Sequence, residues 1–239
     1  VAALVADHHV AAFAEQVHHT ALALVTPVDA HDCHKLLDEL EEDRLAGKKF
    51  GSTRRGIAPV YADKYMKKTL RMGDLLDLEA HGEHLADIVE WKNLTVEKGY
   101  GHAPIQAEDM MAWLRDFGLP WKDYICDVSS YLNGAIDQGK DVIFEAQLGA
   151  LRDIDFGIFP YTSSSSSIAA YAPVGAGIPG RHLDRSIGIM KAYSSCVGEG
   201  PFTCEFFGEE AHALREAGGE YGAATGRPPS RTAPLCVYG

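Results

Sequence analysis

Apolar positions recur at helical spacing along much of this chain and gather into short unbroken runs at two places. Residues 10–25 (VAAFAEQVHHTALALV) and 32–46 (DCHKLLDELEEDRLA) carry the three-to-four spacing, and the second opens on Asp32, a good N-cap residue type. GKKFGSTRRGIAP at 47–59 breaks the periodicity with glycines and a proline, so it reads as a loop. Residues 61–69, 83–95, 106–117 and 121–138 predict further helices, punctuated by Gly118, Pro120 and Gly139. KDVIFEA at 140–146 and RSIGIMKAY at 185–193 read as short buried strands, and EEAHALREAGG at 209–219 as a helix with a glycine stop. Helices alternating with short apolar strands predict an α/β fold: a mainly parallel central sheet flanked by helices. We expect one domain over 1–239, with a helical subdomain at 78–138 in the N-terminal half.

Composition adds exclusions. The chain has 239 residues, 46% of them apolar, enough for a sizeable core. Its formal charge of -12 lacks the basic footprint of a nucleic-acid binder. No apolar run approaches the ~20 residues that span a bilayer. The five cysteines (Cys33, Cys126, Cys196, Cys204, Cys236) form no CxxC and are odd in number, so a reduced, cytoplasmic setting fits better than a disulfide scaffold. The sequence starts VAALVADHHV and ends PPSRTAPLCVYG, and both ends read as internal to a longer protein.

Several segments carry candidate chemistry. GSTRRGIAP sets small and hydroxyl residues beside Arg54 and Arg55, a composition suited to an anion or to an ordinary basic loop. FEAQLGALRDIDFG puts Gln147 just beyond a predicted strand, where α/β sheets hold ligands. Asp153 and Asp155 there could equally cap a turn. GAGIPG at 175–180 matches GxGxxG but leaves no room for a crossover helix, so it reads as a turn. His31 and His34, with His8, His9, His18 and His19 upstream, invite a zinc reading, since a spacing of three on a helix could set two ligands on one face; a surface or core role competes with it. A Walker loop, HExxH and GxSxG are absent from the sequence.

Five blocks, taken in order, resemble adenylosuccinate synthetase. They are GSTRRGIAPVYADK at 51–64, LRMGDLLD at 70–77, FEAQLGALRDIDFGIFPYTSSSS at 144–166, GIMKAYSSCVGEGPFTCE at 188–205 and GGEYGAATGR at 218–227. The resemblance implies a GTP- and Mg²⁺-dependent ligase of purine synthesis, a cytoplasmic homodimer that phosphorylates the 6-oxygen of IMP and then joins L-aspartate to it. By carry-over, Thr53 would contact the IMP phosphate, and Gln147, one position earlier than the family's glutamine, would hold the nucleotide. Ser163 falls where the family has a phosphate-binding threonine, with Thr162 adjacent. Val197 would meet the ribose through its backbone. Lys67 stands where the family donates an arginine across the dimer interface, and a lysine lacks that residue's bidentate fork. Thr225 and Arg227 would anchor the loop that closes on aspartate.

The departures are equally specific. The family's GDEGKGK block, with its catalytic Asp and phosphate loop, has no counterpart among these residues, nor has GGHNAGH with its catalytic His, nor have the guanine-binding segments. No catalytic residue is therefore assigned, and no metal ligand. A second functional arginine falls on Pro229, with Arg231 the nearest replacement. Alternatives are a related ligase for another purine nucleotide, or a catalytically silent nucleotide-binding or dimerisation module.

Overall fold

The computed structural model describes residues 2–5, 33–45, 51–52, 54–146, 148–189, 193–196, 199–202, 205, 207–217 and 231–234. Strand β1 (Ala2–Val5) pairs antiparallel with β2 (Val142–Glu145), setting Ala3 opposite Phe144. Between them in sequence lie the helices α1 (Cys33–Leu45), α2 (Ile57–Met66), α3 (Gly82–Asn93), α4 (Ala107–Trp113) and α5 (Val128–Asp137). After β2 come the short α6 (Ala172–Gly175), β3 (Tyr193–Cys196), α7 (Gly208–Ala217) and β4 (Arg231–Pro234), with β3 and β4 paired antiparallel.

Local chemistry explains where the elements begin and end. α2 starts at Ile57, earlier than periodicity indicates, because Gly56 takes a left-handed φ of 76° and turns the chain into the helix, and Pro59 is tolerated in a first turn. At its far end the Lys68 amide donates to the Asp63 carbonyl and the Lys67 amide to that of Lys64, a Schellman closure with Lys67 left-handed. The single helix expected over 121–138 is two pieces. A 3₁₀ segment Leu119–Tyr124 stops, and Asp127 restarts the chain by capping the Ser130 amide at 3.1 Å and its hydroxyl at 2.7 Å. The expected strand at 185–193 is also corrected: Arg185–Ile189 are not extended pairs, and the strand is Tyr193–Cys196. GAGIPG closes α6, with the Ile178 amide donating to the Pro173 carbonyl and Gly177 left-handed.

Two apolar clusters hold these pieces. Cys33, Leu75, Leu78, Leu85, Val89, Met110 and Met111 form the first, where α1, the 3₁₀ segment Met72–His81, α3 and α4 converge. Each Leu, Val or Met among them contributes about 1.5–3 kcal/mol on burial. Leu132, Ala135, Ala176 and Ile178 form the second, with Val142 and Phe144 packed against it. β2 is therefore half-buried, not buried on both faces as its apolar run predicts: Ile143 and Glu145 face outward.

Candidate functional site

The segment after β2 is a compact loop organised by one carboxylate. Asp153 has no exposed surface. Its Oδ1 accepts from the amides of Asp155 at 2.9 Å and Phe156 at 3.1 Å, and its Oδ2 from those of Ser167 at 2.7 Å and Ile168 at 3.4 Å. Burial raises its pKa, but the four amides outweigh that and hold it below the ordinary 3.8. Of the two readings open for Asp153, this is the turn-capping one. The loop closes on itself further: the Ser163 amide donates to the Arg152 carbonyl at 2.8 Å, and the Ser167 hydroxyl to the Gly149 carbonyl at 2.7 Å. Arg152 reaches the Tyr161 carbonyl at 2.5 Å and the Glu199 carbonyl at 3.4 Å. Folding the loop this way leaves Thr162 and Ser163 half-buried at its rim, with Ser163 Oγ 3.3 Å from Ser165 Oγ.

A second carboxylate organises the loop before α2. Asp38 on α1 is buried; its Oδ1 accepts the Ser52 hydroxyl at 2.7 Å and its Oδ2 the Gly56 amide at 2.9 Å. Ser52 Oγ accepts the Arg54 amide at 3.1 Å, and the Arg54 guanidinium pairs with Asp43 at 2.7 Å. The Arg54 and Gly56 amides therefore point into the protein, and they are not the ones available to an anion.

His34, the candidate zinc residue, has another partner. Its Nε2 lies 2.6 Å from Asp63 Oδ2, which also receives the buried Lys92 ammonium. Three helices, α1, α2 and α3, are thus joined by one ion cluster. Among the described residues no three His, Cys, Asp or Glu side chains converge as a metal site.

Lys67 ends α2 at φ 61° and lines an open cleft of about 430 Å³ with Lys68, His84, Asp87, Trp91 and Leu94. The Lys68 ammonium lies over the Trp91 ring. Of the other predicted site residues, Thr53, Gln147, Val197, Thr225 and Arg227 lie outside the described residues. The β3–β4 register does set Arg231 opposite Cys196, the residue before Val197. Sequence reasoning missed Asp38, Asp63 and Lys92; each is a charge in an amphipathic helix, a pattern that ordinarily marks a solvated face.

A family model described as adenylosuccinate synthetase matches residues 18–232. The adenylosuccinate synthetase of Symbiobacterium thermophilum is 45% identical over 195 residues, 82% of this chain and 45% of its own. That of Lactococcus lactis subsp. lactis is 42% identical over 195 residues, again 45% of its length. A solved structure, fully ligated adenylosuccinate synthetase from Plasmodium falciparum, resembles the chain with a TM-score of 0.76 at 31% identity, over 85% of this chain and 47% of that one. The likeness carries an α/β fold. The chain spans a little under half the length of these relatives.

Proposed function

The chain belongs to the adenylosuccinate synthetase family, and from that premise we propose that it supplies IMP- and aspartate-binding surface to a GTP-dependent ligase of AMP synthesis. The purine 6-oxygen is a poor leaving group until phosphorylated. The aspartate amine then attacks C6, forming the C–N bond as the C–O bond breaks and phosphate departs. GTP with Mg²⁺ would supply the phosphoryl group, and the part we give to the residues of this chain is binding and orientation. We assign Thr53, Thr162 and Ser163 to the phosphate, Gln147 to the nucleotide and the Val197 backbone to the ribose. Thr225 and Arg227 take the aspartate, with Arg231 in place of the arginine missing at Pro229. Lys67 acts from a partner subunit in a homodimer. In this reading β2 belongs to a mainly parallel sheet, and the enzyme works in the cytoplasm; among the described residues no helix is long and apolar enough to cross a membrane.

The observation that carries the reading is the Asp153 loop. Four inward amide bonds fix its shape beyond the end of β2 and leave a row of hydroxyls at its rim, a rigid seat for a polar ligand. Titration calorimetry with IMP and GMP tests it. Binding of IMP in preference to GMP is expected; equal or tighter GMP binding would redirect the proposal to another purine nucleotide, and binding of neither would sink it. These 239 residues on their own should show no GTP-dependent ligation, because the GDEGKGK and GGHNAGH blocks are not among them.

A further inference from the structure

We propose that Asp38 is a positioning residue for the nucleotide phosphate: a carboxylate inside α1 that sets the shape of the 51–56 loop without touching the ligand. The inference rests on the reading that this loop faces the IMP phosphate.

Asp38 is 6% exposed, and a carboxylate at that depth is tolerated only where its oxygens are bonded. Both are bonded to this one loop. The Ser52 hydroxyl donates to Oδ1 at 2.7 Å and the Gly56 amide to Oδ2 at 2.9 Å, while Ser52 passes the grip on by accepting the Arg54 amide at 3.1 Å. One side chain thus fixes the loop on both sides of Thr53 in the sequence.

The loop needs such a splint. Gly51, Arg54 and Gly56 all have left-handed φ, at 73°, 55° and 76°, and Arg54 adopts it without a glycine's freedom. Gly56 also sits against α1: a Cβ there would lie 2.7 Å from the His34 carbonyl carbon and 2.8 Å from the Lys35 amide nitrogen. Loop backbone and helix backbone are in contact at the point where Asp38 holds the Gly56 amide. Two bonds run from this loop to the Asp38 carboxylate on α1 and a third links Arg54 to Ser52, so these loop donors are spent within the protein and the rest of the loop is left to the ligand.

The test compares IMP with inosine, which lacks the phosphate, in the whole protein carrying this sequence. Asp38→Asn keeps the size but puts an amide donor where an acceptor faced Ser52 or Gly56. We expect IMP to bind at least tenfold more weakly, inosine to bind as before, and amide exchange at Arg54 and Gly56 to quicken. Ser52→Ala, a smaller change that leaves Asp38 in place, should shift the IMP-to-inosine ratio in the same direction, and it carries the test if Asp38→Asn does not fold. Unchanged IMP binding in a variant, or parallel loss of IMP and inosine, would overturn the positioning role, because a residue that only stabilises the fold has no preference for the phosphate. If the unsubstituted protein itself fails to prefer IMP over inosine, the functional reading fails first, before any variant is made, and this inference falls with it.

Discussion

At the scale of single residues, charges buried between helices decide most. His34 is raised from 6.5 to about 9: burial opposes its charge, and the bond to Asp63, helped by Cys33, outweighs burial. Burial likewise works against ionised Asp63, while His34 and Lys92 pull its pKa below the ordinary 3.8. The signs are opposite for the two groups. A raised histidine gives its full share of stability below the unfolded value of 6.5, and that share is lost as pH climbs through about 9. A depressed aspartate gives its share above the ordinary carboxylate range and loses it on acidification. Urea melts from pH 6.5 to 9 should therefore show falling stability, at up to about 1.4 kcal/mol per pH unit, and His34→Gln should flatten that slope. Lys92→Met removes a charge that is 4% exposed and leaves Asp63 with one partner; a loss of about 3–5 kcal/mol in the same melts is expected. None of this cluster was legible in the sequence. His34 stood out as a zinc candidate set against a surface or core histidine, with nothing to name its partners, and Asp38, Asp63 and Lys92 carry the same signal as charges that stay in water. Burial of a helical charge depends on what packs over it, which periodicity does not encode.

At the scale of elements, the sequence was legible wherever a local signal acts alone. α1, α7 and β2 fall where spacing and an apolar run predict them. Failures occur where a single residue overrides the period: Gly56 opens α2 early, and Asp127 splits the expected helix over 121–138. β1 and β4 carry no strand signal of their own and are defined by pairing partners far along the chain. The Asp153 loop shows how an element without repeat structure can still be rigid. Gly157 lies over it so closely that a Cβ would sit 2.5 Å from the Asp153 carbonyl oxygen and 2.6 Å from that of Leu151. Backbone cannot yield as a side-chain tip can, so Gly157→Ala should cost about 1–3 kcal/mol and weaken IMP binding. Gly134, inside α5, has nothing within 4 Å of its missing Cβ. Gly134→Ala should instead stabilise by roughly 0.5–1 kcal/mol and leave IMP binding unchanged. Thermal melts and calorimetry on the pair separate loop geometry from general stability; equal behaviour of the two would refute the rigid-seat argument.

At the scale of the whole molecule, the family was legible from five ordered blocks and not from periodicity, because what marks them is the order of residue types and not a repeat. In the homodimer we propose, Lys67 would serve the neighbouring subunit's nucleotide. Its setting suits that role: Lys67 is exposed at a helix end, held left-handed by the Schellman closure, and beside a cleft lined by Trp91 and Leu94. A two-fold dimer makes the idea testable by mixing. Lys67→Ala alone should weaken IMP binding at every site, and so should Ser163→Ala. In a one-to-one mixture of the two, about half the dimers are mixed. If Lys67 acts across the interface, each mixed dimer has one site with Ser163 from its own subunit and Lys67 from the other, both intact, and a second site lacking both. About a quarter of all sites should regain tight IMP binding, visible as a second, tighter phase in the titration. If Lys67 serves its own subunit, every site in the mixture stays defective and no such phase appears. Lys67→Arg completes the argument: by restoring a bidentate fork it should tighten IMP binding over the native lysine, with tightening in the mixture only when the arginine subunit is paired with one whose own nucleotide seat is intact.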